Sequence, residues 1–182
     1  MNSPLTPENA SVETLLGEEE LAARIKTQAA EIAPRLEKNA LVVGLLKGAY
    51  VYTADLVREL SRLGAKLEVE FMVLSSYGKN TVSSGQVQVK LDCGGDLDGR
   101  QVLLLDDILD SGRTLAFAAE HLKKHGAAEV ITAVLLDKPE RRANNFNADF
   151  VGFEIDNLFV VGYGIDFAEH FRDLPYVGYI KQ

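Results

Sequence analysis

The chain has 182 residues, 47% hydrophobic and 25% charged, with a single cysteine; this is enough for one domain with an ample core and excludes an intrachain disulfide. Its 19 basic and 27 acidic residues leave a formal charge of −8, which argues against a general binder of nucleic acid or of anionic membranes. No stretch approaches the ~20 apolar residues of a membrane span, and residues 1–13 are polar and Pro-containing rather than signal-like, so the expected setting is soluble and cytoplasmic.

Residues 1–13 read as a loosely ordered extension and 14–182 as one domain. Residues 18–38 have helical periodicity, with Leu21, Ile25, Ile32 and Leu36 on the apolar side and Pro34 weakening the end. A buried strand over 40–46 runs into Lys47-Gly48, and a helix from about 51 to 63 is stopped by Gly64. Leu67, Val69 and Phe71 alternate with Lys66, Glu68 and Glu70, as in a strand, and 86–91 alternate again. These two strands are expected to pair around a long, mobile loop over 75–85, rich in Ser and Gly. Cys93, beside Gly94 and Gly95, reads as a loop thiol. There follow a buried strand over 101–105, a helix over 113–125 ended by Gly126, a strand over 129–136, and strand content at 150–155 and 159–163. Strands alternating with helices specify an α/β fold with a mostly parallel central sheet flanked by helices. Lys47-Gly48, Asp106-Asp107 and Asp137-Lys138 each end a strand. A parallel sheet brings all three to one edge, where open α/β sheets bind ligands.

The densest chemistry lies in residues 102–115, Val-Leu-Leu-Leu-Asp-Asp-Ile-Leu-Asp-Ser-Gly-Arg-Thr-Leu. An apolar strand ends in Asp106 and Asp107, Asp110 follows, and Ser111-Gly112 feeds a helix. Free N–H groups in such a turn and at a helix N-terminus suit a phosphate. Neighbouring carboxylates would repel it unless a divalent cation or sugar hydroxyls lie between, so the combination points to a phosphorylated sugar with magnesium. Duller roles stand beside these. Asp110 can cap the helix, Ser111 and Thr114 can be helix-start hydroxyls, and Arg113 an exposed helix residue. Lys47-Gly48 is either a strand-to-helix turn that needs glycine or a phosphate contact. Lys138 lies just past a buried strand, where a donor can meet a ligand, whereas Arg141 and Arg142 read as solvated surface. Phe159 and Tyr163 read as packing, and Asp166 as a loop acid that binds metal or solvates a turn. His121, His125 and His170 share no zinc-like spacing with acids or cysteines, and His121 and His125, one turn apart near a helix end, read as surface.

Residues 104–115 resemble the phosphoribosyl pyrophosphate motif of the type I phosphoribosyltransferases. Val42-Val43-Gly44-Leu45-Leu46-Lys47-Gly48, Ser75-Ser76-Tyr77-Gly78, Leu135-Leu136-Asp137-Lys138-Pro139 and Phe159-Val160-Val161-Gly162-Tyr163-Gly164-Ile165-Asp166 resemble the hypoxanthine–guanine phosphoribosyltransferase family in order and spacing, over about residues 41–179. The resemblance implies the type I phosphoribosyltransferase fold, with a small hood and a mobile loop. It also implies transfer of 5-phosphoribosyl from phosphoribosyl pyrophosphate to N9 of hypoxanthine or guanine, a purine salvage reaction giving IMP or GMP and pyrophosphate.

Carried over residue by residue, Asp106 and Asp107 would hold the ribose 2′ and 3′ hydroxyls and help to place Mg2+. Asp110, Ser111, Gly112, Arg113 and Thr114 would cradle the 5′-phosphate, with Asp110 also the base or acceptor at purine N7. Lys138 would donate to the 6-oxo group, Phe159 stack on the base, and the Val160 backbone and the region of Asp166 meet its other edge. Asp166 would hold a second Mg2+. Lys47, Gly48 and Arg172 would contact the pyrophosphate, with a strained or cis Lys47–Gly48 peptide, and Ser76 and Tyr77 would close over it. An acid at 110 separates this chain from adenine and orotate enzymes and from RNA-binding regulators with a similar loop. Asp106 stands where Glu is common, one methylene shorter. The family further implies a homodimer or homotetramer, without nucleic-acid or membrane partners. A donor-sensing regulator without catalysis fits less well with the acidic balance, Asp110 and Lys138. An aspartate-dependent phosphotransferase built on Asp106 or Asp107 is the other class, and it would ignore purines.

Overall fold

The computed structural model describes residues 5–76 and 87–181, without the side chain of Ser76. Tyr77, that side chain and nearly all of the expected 75–85 loop therefore lie outside the described residues. In chain order the elements are β1 (Val12–Leu16), α1 (Glu18–Ile32), β2 (Leu41–Leu46), α2 (Tyr50–Arg62), β3 (Glu68–Ser76), β4 (Val87–Leu91), β5 (Gln101–Leu109), α3 (Arg113–Lys124), β6 (Glu129–Asp137), β7 (Phe150–Glu154), β8 (Val160–Val161) and β9 (Val177–Ile180).

Buried on both faces, the central strands read as continuous apolar runs, which is the pattern of a parallel sheet covered by helices. The main sheet has the order β4-β3-β2-β5-β6-β7. All its neighbours pair parallel except β4, which is antiparallel to β3. The two-residue period of the strands divides the core into two layers. Val42, Leu103, Leu105 and Leu135 pack with Leu21, Ile25, Tyr52 and Leu56 of α1 and α2. Leu41, Val43, Leu104 and Val134 pack with Leu115, Ala118 and Leu122 of α3. In the first layer the Tyr52 hydroxyl donates to Gln28 Oε1 at 2.9 Å and Gln28 Nε2 donates to Val134 O at 3.1 Å, so these two buried polar side chains are paired with each other and with the sheet.

Several boundaries move for local reasons. Helix α1 stops at Ile32, and a 3₁₀ turn over Ala33–Arg35 follows, because Pro34 supplies no N–H to continue it. Strand β5 continues past Leu105 through both acids, since β6 still offers pairing partners: Asp106 opposite Val134 and Leu109 opposite Asp137. The strand expected over 159–163 shrinks to two residues, because Gly162, Tyr163 and Gly164 take left-handed φ values of 94°, 52° and 101°. On β3 the apolar positions Val69 and Phe71 lie exposed while Met72 is buried.

A second sheet, β1-β9-β8, was not expected from sequence. It is antiparallel and joins segments near both ends of the chain. Its first strand starts at Val12, inside the segment expected to be loose, and Glu13 accepts from Lys181 Nζ at 2.9 Å and from the Tyr179 hydroxyl.

Candidate active site

Parallel pairing of β2, β5 and β6 sets their C-terminal ends side by side, so the three polar pairs do converge. Gly112 is the N-cap of α3, at φ 78°, and an added Cβ would stand 2.4 Å from Asn144 Oδ1; only glycine fits both demands. With no cap side chain there, the first turn of α3 presents its N–H groups toward the loop, a site for an anion. The Ser111 hydroxyl accepts from Arg113 N–H at 3.4 Å. Arg113 and Thr114 are exposed at the mouth of the turn.

Capping by Asp110 is not realised. Its Oδ1 instead accepts from Arg141 Nε at 3.0 Å. Arg142 reaches under the loop: Nη1 donates to Leu109 O at 3.1 Å and to Asp110 O at 2.5 Å, and Nη2 pairs with the Asp137 carboxylate. Its side chain is only 11% exposed. Ala143 N–H also donates to Ser111 O at 3.0 Å. The reading of Arg142 as solvated surface is thus corrected, since it holds the loop's main chain; Arg141 is exposed as expected and still pairs with the loop's carboxylate. A charge run in sequence does not show which carbonyls lie within reach.

Asp106 and Asp107 share the edge of β5. Asp107 N–H donates to Asp106 Oδ1 at 3.0 Å, and Ile108 N–H donates to Asp107 Oδ1 at 2.9 Å. Burial, then the neighbouring Asp107 charge, holds the Asp106 carboxyl well above the usual carboxylate range. Burial raises Asp107 as well. The Asp107 carboxylate lies against Gly48, where an added Cβ would stand 1.8 Å from Oδ2. These groups, with Ser111, Gly112 and Thr114, line a cavity of about 320 Å³.

A second cavity of about 630 Å³ is lined by Lys138, Phe159, Val160, Ile165 and Asp166 among others, and Ile108 and Asp110 line both cavities. Lys138 is 8% exposed and donates to Leu158 O at 2.6 Å. Burial lowers its ammonium pKa from the usual range, while the Asp110 charge acts the other way. Phe159 is not core: it is 43% exposed, and the Phe167 ring meets it edge-on at 5.3 Å. Tyr163 does pack, with its hydroxyl donating to Asp55.

Lys47 and Arg172 stand at the other end of the edge. The cis peptide is Leu46–Lys47, one bond before the Lys47–Gly48 bond expected. Lys47 Nζ pairs with Glu169 Oε2 at 2.9 Å, and Arg172 Nη2 with Asp166 Oδ1 at 2.8 Å and Glu169 Oε2 at 3.4 Å. Arg172 Nη1 donates to Gly164 O at 2.8 Å, and Nε is buried without a partner among the described residues. Glu169 was not singled out in the sequence, and its φ of 68° in the Ala168–Phe171 turn leaves no pattern there. Asp166 also accepts from Glu169 N–H at 2.9 Å. Among the described residues Asp106, Asp107 and Asp166 do not form one three-carboxylate cage. Cys93 lies apart, its thiol pushed up to about 11 by burial and by Asp92, so it is protonated at neutral pH.

A family model described as the phosphoribosyl transferase domain matches residues 11–168. The chain is 47% identical over 165 residues to the hypoxanthine-guanine phosphoribosyltransferase of Aquifex aeolicus, covering 90% of this chain and 91% of that one. It is 46% identical over 168 residues to the bifunctional protein TilS/HprT of Listeria monocytogenes serotype 4b, covering 92% of this chain but only 26% of that one. The chain thus spans about a quarter of the length of this bifunctional relative. A crystal structure of a hypoxanthine phosphoribosyltransferase from Staphylococcus aureus superposes with a TM-score of 0.86 at 37% identity, covering 93% of this chain and 91% of that one.

Proposed function

We propose a reaction from the premise that the chain belongs to the hypoxanthine-guanine phosphoribosyltransferase family: it is a purine salvage enzyme that transfers 5-phosphoribosyl from phosphoribosyl pyrophosphate to N9 of hypoxanthine or guanine. One observation carries the assignment of the site. Asp110 and Ile108 form a wall common to both cavities, one lined by a helix N-terminus and paired acids and the other by Lys138 and Phe159. The reacting atoms, ribose C1′ and purine N9, belong at that wall.

The donor's 5′-phosphate takes the N–H groups and hydroxyls of Ser111–Thr114. Asp106 and Asp107 accept from the ribose 2′ and 3′ hydroxyls. The donor set also fits Mg2+, since two desolvated neighbouring carboxylates repel each other until a hard cation meets them. When bound there, Mg2+ supplies positive charge to offset that building on the leaving pyrophosphate. Asp166 is proposed to hold a second ion on the pyrophosphate and Lys47, Gly48 and Arg172 to contact it directly. Ser76 and Tyr77 are proposed to close over it.

As N9 bonds to C1′ and the C1′–O bond to pyrophosphate breaks, the N7 proton passes to Asp110 Oδ. Lys138 donates to the 6-oxo oxygen and would meet the 6-amino group of adenine with a like donor, which excludes that base. Phe159 presents a ring face for stacking, and the main chain of Val160 meets the purine edge. The chain acts as one catalytic domain that takes in Val12 and Glu13 of the expected 1–13 extension through β1, in a cytoplasmic homodimer or homotetramer whose ligands are the donor and the base. No helix among the described residues is long and apolar enough to cross a membrane.

The test is a steady-state assay with donor, Mg2+ and each of hypoxanthine, guanine, xanthine and adenine, following nucleotide formation by absorbance. Turnover of 6-oxopurines without adenine is expected. Tight donor binding with no turnover of any base would overturn the reading in favour of a donor-sensing regulator.

A further inference from the structure

The two histidines read from sequence as surface acquire a partner in three dimensions. Asp92 directly follows β4, and His121 and His125 stand one turn apart at the C-terminal end of α3, about 12 and 18 Å along the axis from its start at the phosphate loop. His121 Nε2 is 2.8 Å from Asp92 Oδ2. The two imidazole rings lie 4.1 Å apart between centroids. One ligand atom from each of the three residues lies within 4.8 Å of the others. A tetrahedral ion with ligands at ~2.0–2.1 Å holds them roughly 3.3 Å apart, so side-chain adjustment alone closes the shell.

Neighbouring groups orient the donors. His125 Nδ1 lies 2.8 Å from the His121 main-chain oxygen, which can only accept. Nδ1 therefore carries the proton and Nε2 keeps the lone pair, the arrangement that fixes a metal-binding imidazole. Asp92 Oδ1 accepts from Cys93 N–H at 3.0 Å, leaving Oδ2 toward His121. A cation here also faces the negative end of the α3 dipole.

We propose that Asp92, His121 and His125 form a divalent transition-metal site, separate from the reaction centre, that takes Zn2+ and clamps the β4–β5 connection to α3. Two imidazoles and one carboxylate suit Zn2+, whereas Mg2+ selects oxygen ligands and a near-octahedral shell. Asp92 and His125 are exposed, so solvent completes the coordination.

The test is calorimetric titration of the EDTA-treated protein with Zn2+ in excess Mg2+, which keeps the paired acids of β5 occupied. A single saturable event is expected in the wild type. His125→Ala and Asp92→Asn should each weaken it about tenfold or more. Both positions are exposed, and unchanged nucleotide synthesis by each variant, or an unchanged circular dichroism spectrum, verifies the fold. Asp106→Asn should leave Zn2+ binding intact. No binding by the wild type, unchanged affinity in both site variants, or loss of binding in Asp106→Asn would overturn the proposal.

Discussion

Replacing Gly48 with alanine is the sharpest probe of how the donor pocket is assembled. The new methyl would stand 1.8 Å from Asp107 Oδ2 and 2.6 Å from Cγ, so the carboxylate must retreat by roughly 1.5 Å to restore an ordinary contact. It can do so, since it is the end of a side chain facing a cavity, and folding should be little affected. Retreat breaks the 2.9 Å bond from Ile108 N–H to Asp107 Oδ1 and withdraws the acceptor from the ribose hydroxyls. A hydrogen bond to a charged group contributes about 1.5–3 kcal/mol. Loss of one such bond to the donor, with misalignment of its partner, is worth about 10²-fold in kcat/KM. Initial rates at saturating hypoxanthine and varied donor measure this as a rise in donor KM. The cycle with Asp107→Ala isolates the cause, because Gly48→Ala should cost almost nothing more once the carboxylate is gone. An unchanged donor kcat/KM, or an equal penalty in the Asp107→Ala background, would refute the reasoning.

Asp110→Asn should lower turnover by about 10²- to 10⁴-fold, as loss of a general base does, while calorimetry shows donor binding spared; unchanged turnover would remove Asp110 from the base role. Arg142→Ala strips the partner from a nearly buried Asp137 and two main-chain carbonyls, a loss on the order of 3–5 kcal/mol. A melting scan should then show Tm lowered by on the order of 10 °C, and a fall of only a degree or two would make Arg142 dispensable to the loop. The paired acids predict a pH dependence of definite sign. Their pKa values are raised on folding, so the folded protein takes up protons before the unfolded chain does, and the pair's contribution to stability grows as pH falls from their raised values toward the ordinary carboxylate value. Donor binding with Mg2+ needs them ionised and should weaken over the same window. As pH falls through this window Tm should rise while donor affinity falls, so Tm and donor Kd rise together in the wild type, and Asp106→Asn should flatten both trends; a Tm that falls while Kd rises would contradict it.

Much of this molecule is legible in the sequence because its signals are local. Apolar runs such as 102–105 define parallel strands, Gly64 and Gly126 mark helix ends, and the Asp-Asp…Asp-Ser-Gly-Arg-Thr segment carries strand end, turn and helix start in contiguous residues. Convergence of Lys47-Gly48, Asp106-Asp107 and Asp137-Lys138 then follows from parallel topology alone. The second sheet was not legible, because its strands are short and β1 meets its partner β9 from some 160 residues away.

The support of the site was hidden for a related reason. Arg142 acts through the carbonyls of Leu109 and Asp110, and main-chain acceptors carry no sequence identity. Glu169 meets Lys47 and Arg172 from a left-handed turn made of residues that rarely adopt one. Asp92 reaches His121 only because β4 and α3 pack on the same layer. In each case the chemistry of the side chain was evident, but its partner was set by how distant elements pack. A sequence therefore names the groups that touch a ligand, which sit in contiguous motifs, more readily than the groups that hold those motifs in place. Single substitutions at Arg142 and Gly48 test that division directly, one through the loop's main chain and the other through the pocket's carboxylate.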